Sequence, residues 1–150
     1  MQIGIIGLGY VGLPLAVAFA EAGCEVVGLD VDQSKVEALN GGHSYIEDVP
    51  SEALAPLGER LRATAEHADL AACEAVILCV PTPLSDSREP DLTYLVESAE
   101  ALAKVLRSGQ LVVLESTTYP GTTRDRLLPI LEGSGLTAGS DFHLAFSPER

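Results

Sequence analysis

The sequence predicts an α/β protein: a doubly wound, mostly parallel sheet with helices on both faces. Three observations predict it. Short apolar runs alternate with segments of helical spacing along all 150 residues, an order that calls for parallel strands joined by helical crossovers. The runs are apolar at consecutive positions, as in strands covered on both faces. The first thirty residues then read strand, glycine turn, helix, strand, acid.

That opening unit is specific. Ile3-Gly4-Ile5-Ile6 is a buried-strand run, Gly7-Leu8-Gly9-Tyr10-Val11-Gly12 a glycine turn, and Leu13 to Ala22 an alanine-rich helix. A second run, Val26-Val27-Gly28-Leu29, ends on Asp30. This is the layout of a Rossmann-like dinucleotide site. Gly7 lets the chain turn out of the strand, Gly9 lets a pyrophosphate approach the backbone, and Gly12 lets the helix lie close to the sheet. The helix amino terminus offers N–H groups and partial positive charge to phosphates. Tyr10 and Val11 complete the turn and join the three glycines as cofactor-binding candidates. Asp30, eighteen residues past Gly12, is placed to accept the adenosine ribose hydroxyls. A 2′-phosphate would meet this carboxylate, and Val31-Asp32-Gln33-Ser34 holds no arginine to offset the clash, so NAD is expected over NADP. Lys35, the one nearby cation, reads equally as a ribose or adenine contact and as a solvated helix residue.

Downstream, Gln33 to Asn40 reads as a helix with Asp32 as N-cap and Gly41-Gly42 as stop. Residues 43–50 read as an irregular surface loop, in which His43 is more plausibly solvated than ligand-bound. A weaker helix is expected over Ser51–Leu57, a strand over Leu61–Thr64, a helix over Glu66–Ala72 and a buried strand over Ala75–Val80, broken by Pro81. Pro81-Thr82-Pro83-Leu84 forms a stiff exit at that strand's carboxyl end, where open α/β sheets bind ligands. Ser85–Pro90 is a polar loop; Asp91 caps a long helix, Leu92–Arg107, stopped by Ser108-Gly109. The strand Leu111–Leu114 runs into Glu115-Ser116-Thr117-Thr118-Tyr119-Pro120-Gly121. Thr122 and Asp125 form a capping box for a helix to Leu131, kinked by Pro129. Phe142–Phe146 is the last strand, followed by Ser147-Pro148-Glu149-Arg150.

The length fits one domain with a real core. Hydrophobic residues make up 47% and aromatics only 5%, which points to an Ala/Val/Leu core. A net charge of −13 repels nucleic acid and anionic membranes, so neither is an expected partner. An anionic ligand must therefore be held by helix ends and glycine turns against the global field. The three cysteines, Cys24, Cys73 and Cys79, lack metal-ligand spacing and read as small buried fillers. No metal site is expected. Without a disulfide pattern, a basic leader or an apolar stretch of membrane-spanning length, the expected compartment is the cytoplasm.

Four stretches together resemble one family. Gly7-Leu8-Gly9-Tyr10-Val11-Gly12-Leu13-Pro14, Val80-Pro81-Thr82-Pro83, Ser116-Thr117-Thr118-Tyr119-Pro120-Gly121-Thr122 and Phe146-Ser147-Pro148-Glu149-Arg150 resemble, in order and spacing, the signatures of the UDP-glucose/GDP-mannose dehydrogenases, the nucleotide-sugar 6-dehydrogenases. The resemblance implies oxidation of a sugar C6 alcohol to a carboxylate with two NAD, through a thioester on a cysteine. Glu115-Ser-Thr-Thr-Tyr-Pro-Gly-Thr-Thr with Ser-Pro-Glu-Arg looks most like the UDP-N-acetylhexosamine branch; the UDP-glucose enzymes more often show Ser-Thr-Val-Pro and Pro-Glu-Phe. By matching position, Thr117 stands where the family has a threonine that orders a catalytic water and Glu149 where it has a glutamate serving acid–base and hydrolysis steps. A carboxylate poised near neutrality suits that chemistry. The less favoured readings are a turn hydroxyl bonding the backbone for Thr117 and a solvated terminal acid for Glu149. Thr82 would line the cofactor or the sugar, and both Thr82 and Thr117 count among the cofactor contacts.

None of the three cysteines matches the context of the family's reactive one. Its lysine, asparagine and sugar-binding domain are also expected past residue 150. Residues 1–150 thus read as the NAD-binding domain of a longer enzyme, inactive alone, with a homo-oligomer open only to the full-length protein. The alternatives are a stand-alone NAD-sensing regulatory module and the cofactor domain of a hydroxyacid dehydrogenase.

Overall fold

Six strands form one wholly parallel sheet in the computed structural model, which describes residues 1–148. In chain order they are β1 (Gln2–Ile6), β2 (Glu25–Leu29), β3 (Leu61–Thr64), β4 (Ala75–Leu78), β5 (Leu111–Leu114) and β6 (His143–Phe146). Their spatial order is β3-β2-β1-β4-β5-β6, the doubly wound arrangement, which is parallel at every pairing rather than mostly so. The chain builds outward from β1 to β3, then returns to add β4 on the other side. The carboxyl ends of β1 and β4 therefore diverge and leave a crevice between them.

Alternation within each strand separates two cores. Ile3, Ile5, Val26 and Ile77 face one side, covered by α1 (Gly12–Glu21) and α2 (Gln33–Asn40). Ile6, Val27, Leu78 and Leu114 face the other, covered by α3 (Thr93–Ala103) and α4 (Leu128–Glu132). This is why the central runs, in β1, β2 and β4, are apolar at consecutive positions: both of their faces are covered, whereas the edge strands β3 and β6 keep exposed residues such as Arg62 and His143.

Local chemistry decides several boundaries. Asp32 caps α2 as expected: its Oδ1 accepts from the Ser34 N–H at 2.9 Å and the Ser34 hydroxyl at 2.6 Å, and the latter chiefly holds this carboxyl below its usual range. β4 stops at Leu78, two residues before Val80. The Cys79 N–H still pairs with Ile6, but the Val80 carbonyl accepts from the Ser116 hydroxyl and Pro81 has no N–H to give. α3 ends at Ala103 rather than Arg107, because buried Gln110 captures the Arg107 N–H at 2.7 Å and donates to the Leu70 and Cys73 carbonyls.

The segments at 51–57 and 66–72 form 3-10 turns (Ser51–Ala53, Ala55–Arg60, His67–Leu70) instead of α-helices. The expected capping box at Thr122 is absent. Thr122 is already helical in backbone (φ −52°, ψ −44°), and its hydroxyl turns back to the Tyr119 carbonyl at 2.7 Å. A wide π-turn, Thr123–Leu127, replaces the first α turn ahead of Pro129, which cannot supply an N–H to the preceding turn. Among the described residues no helix is long and apolar enough to cross a membrane.

Candidate cofactor cleft

A cleft of about 910 Å³ opens along the carboxyl ends of β1, β2, β4 and β5. The glycine turn forms its floor, Asp30 and Lys35 one end, and Thr82, Ser116 and Thr117 the other.

The three glycines of the turn differ in what the fold asks of them. Gly7 has φ +94°, and a Cβ there would sit 2.7 Å from the Cys79 carbonyl oxygen. At Gly12 a Cβ would lie 1.7 Å from the Gly7 oxygen, so α1 can approach the turn only if this residue has no side chain. At Gly9 a Cβ would meet nothing within 4 Å. The protein itself has no need of glycine at position 9; a ligand lying close to this backbone would. α1 begins beside it with no side-chain cap on Val11 and no acid in its first turn. Its dipole and amide groups therefore face the cleft without an internal anion to compete. Among the described residues, Lys35 is the one lysine or arginine lining a cleft in which Asp30, Asp32, Glu97 and Glu115 also stand. The residues present thus fit a dinucleotide held chiefly by backbone.

Asp30 is 8% exposed, and its two oxygens are both engaged. Oδ2 accepts the Leu8 N–H and Oδ1 the Asp32 N–H, each at 2.9 Å. Lys35 Nζ lies 3.8 Å from Oδ2 and 5.5 Å above the centre of the Tyr45 ring. Lys35 is accordingly tethered at the cleft's edge rather than free in solvent. Each carboxylate oxygen keeps a further lone pair for a ribose hydroxyl, while also bracing the glycine turn, a second task that sequence reading does not reveal.

At the opposite end, the Thr82 hydroxyl donates to the Thr117 carbonyl at 2.5 Å and the Ser116 hydroxyl to the Val80 carbonyl at 3.0 Å. Two exits 35 residues apart in sequence are stitched into one wall. Tyr10 is 77% exposed at the rim, and Val11 packs into the α1-side core. Glu149 lies outside the described residues.

Residues with no signal in the sequence complete the cleft. His67 lines it from the turn after β3, and burial lowers its pKa from 6.5. Tyr94, Glu97 and Ser98 reach it from α3. His43 is exposed, whereas its neighbour Tyr45 is half-buried and donates its hydroxyl to the Leu8 carbonyl. Cys79 sits in the cleft wall, with burial pushing its thiol up to about 12; burial likewise takes Cys73 to about 11. Neither is a nucleophile at neutral pH. No group of three or more His, Cys, Asp and Glu placed to hold a metal ion occurs among the described residues.

Residues 1–150 match the NAD binding domain of the UDP-glucose/GDP-mannose dehydrogenase family along their whole length. The chain belongs to this family. It is its NAD-binding domain, and its cofactor is NAD. The UDP-N-acetyl-D-glucosamine 6-dehydrogenase of Pseudomonas aeruginosa is 42% identical over 151 residues, covering all of this chain and 35% of that enzyme. The UDP-D-ManNAc dehydrogenase structure from Pyrococcus horikoshii superposes with a TM-score of 0.93 at 40% identity, over all of this chain and 36% of that one. A ternary complex of GDP-mannose dehydrogenase from P. aeruginosa gives 0.94 at 34% identity, again over all of this chain and 36% of its own. The chain spans about a third of the length of the curated relatives it matches.

Proposed function

We propose that this domain serves a longer, cytoplasmic nucleotide-sugar 6-dehydrogenase that oxidises the C6 alcohol of a UDP-N-acetylhexosamine to the uronate. Alcohol to carboxylate removes four electrons, so two NAD are reduced per sugar. The observation that supports this most is the convergence of the Pro81-Thr82-Pro83 and Ser116-Thr117 exits with the glycine turn on a single cleft. A bare cofactor domain needs only the glycine turn and Asp30; the family-specific exits line the same space. The names of the relatives, mostly acetylhexosamine dehydrogenases, favour that substrate branch over UDP-glucose.

In this reading Gly7, Gly9, Tyr10, Val11 and Gly12 receive the cofactor's phosphates, and Asp30 with Lys35 its adenosine ribose. Asp30 also selects NAD over NADP. Thr82 and Thr117 flank the reacting end, where the Thr117 hydroxyl orients the water that hydrolyses the thioester and Glu149 activates it. The thioester cysteine belongs to the remainder of the enzyme, since Cys73 and Cys79 are buried with raised pKa values, and Cys24, half-buried rather than a buried filler, stands ahead of the amino end of β2 and does not line the cleft.

The test uses the full-length enzyme that contains this domain, offered UDP-N-acetylglucosamine, UDP-N-acetylmannosamine and UDP-glucose. The expected result is two NADH per acetylhexosamine consumed, with no turnover by residues 1–150 alone. Turnover of UDP-glucose only would overturn the substrate branch. Steady NADH formation by the 150-residue chain would overturn the division of labour and bring one of its three cysteines into the chemistry.

A further inference from the structure

We propose that Tyr45 is a positioning residue for the cofactor's pyrophosphate: from outside the cleft, it holds the backbone of the glycine turn in its binding conformation.

Leu8, between the first two glycines of the turn, is fixed at three points. Its N–H donates to Asp30 Oδ2 at 2.9 Å. Its side chain is fully buried in the space that Gly28 leaves open, where a Cβ would approach Leu8 Cδ2 to 2.7 Å. Its carbonyl accepts the hydroxyl of Tyr45, 37 residues away. The first two constraints come from β2 and its end. The third comes from the 43–50 loop and is a single hydrogen bond. With both peptide groups of Leu8 anchored, the amides that follow, from Gly9 to the start of α1, keep one orientation towards the cleft. Donors aimed in advance do not have to be ordered when the anion arrives, and this ordering cost otherwise weakens binding.

Tyr45 is suited to the task. Burial, followed by the nearby Asp30 and Asp32 charges, pushes its hydroxyl pKa well above the ordinary value, so it remains a donor at neutral pH. Ile46 and Val49 are buried in the α1-side core and anchor the loop that carries it. The ring lies beneath Lys35 Nζ at 5.5 Å, which ties the same side chain to the ribose end of the cleft.

Tyr45→Phe keeps the ring under Lys35 and deletes only the hydroxyl, separating the two contacts. This inference rests on the cofactor reading of the cleft. In the 150-residue chain, NAD and ADP-ribose affinities are measured by calorimetry and adenosine affinity by chemical-shift titration, with a melting curve on each sample. Loss of one neutral hydrogen bond predicts a roughly 3- to 10-fold weakening for NAD and ADP-ribose. Adenosine, which lacks the pyrophosphate, should change less than about 2-fold under the same principle. Amide exchange at Gly9 and Tyr10 should quicken in the variant and slow again when NAD is added. Unchanged NAD affinity overturns the inference. An equal loss for adenosine also overturns it, because the hydroxyl would then be shaping the ribose site or the fold as a whole. A wild-type chain that binds neither NAD nor ADP-ribose overturns the underlying cofactor reading instead.

Discussion

Alanine substitution at the three glycines of the turn separates what the fold needs from what the ligand needs. At position 12 the added methyl would lie 1.7 Å from the Gly7 oxygen, more than 1 Å inside ordinary contact, so α1 must move away from the sheet. Overpacking of this kind costs about 1–3 kcal/mol or more. At position 7 alanine would adopt φ +94°, costing about 1–2 kcal/mol in backbone alone, with a 2.7 Å clash against the Cys79 carbonyl added. Position 9 is open for 4 Å around the new methyl and its φ lies outside the left-handed region. Gly9→Ala should therefore leave stability unchanged or raise it by about 0.4–1 kcal/mol through the unfolded state. It should nonetheless weaken NAD by at least ~10-fold, or about 1.4 kcal/mol, because the methyl occupies the pyrophosphate's path. The chain has no tryptophan, so urea unfolding is followed by circular dichroism, with calorimetry for NAD. If Gly9→Ala loses more than about 1 kcal/mol of stability, or binds NAD as the wild type does, the assignment of this glycine to the ligand is wrong.

Three further outcomes are expected. Asp30→Ala should weaken NAD by about 1–3 kcal/mol and narrow the preference over NADP, both read by calorimetry. It should also lower stability by a similar amount, because the Leu8 N–H loses its buried acceptor; NAD affinity unchanged in the variant would remove Asp30 from the ribose site. Burial depresses the His67 pKa, so its contribution to stability is fully present above the unfolded value near 6.5 and is lost as pH falls through the lower folded value. Urea midpoints at about pH 7.5 and 5.5 should therefore fall further for the wild type than for His67→Gln, and parallel losses would contradict the shift. In the full-length enzyme, Glu149→Gln should slow thioester hydrolysis by about 10²–10⁴-fold and accumulate a covalent sugar adduct visible by intact mass, with Thr117→Ala milder. Normal NADH formation with no adduct would leave Glu149 without a catalytic part.

Much of this molecule follows from its residues taken a few at a time. The apolar runs of β1, β2 and β5, the glycine turn, and α2 with its Asp32 cap are all legible because strand burial, left-handed turns and caps act over two to five neighbouring positions. Even a local rule fails where the backbone has already chosen: Thr122 carries the right residues for a capping box but starts in helical φ and ψ, so its hydroxyl turns elsewhere. Tertiary structure alone decided that Gln110 would end α3 by reaching Leu70 and Cys73, that Thr82 would close on Thr117, that His67 would line the cleft and that Tyr45 would hold Leu8. Each of these pairings spans 35 or more positions, or a crossing of the sheet, and carries no periodic signature. Their partners are set by the strand order, which brings remote carboxyl ends to one edge, and by the demand that each buried polar group find an acceptor or donor once it is there.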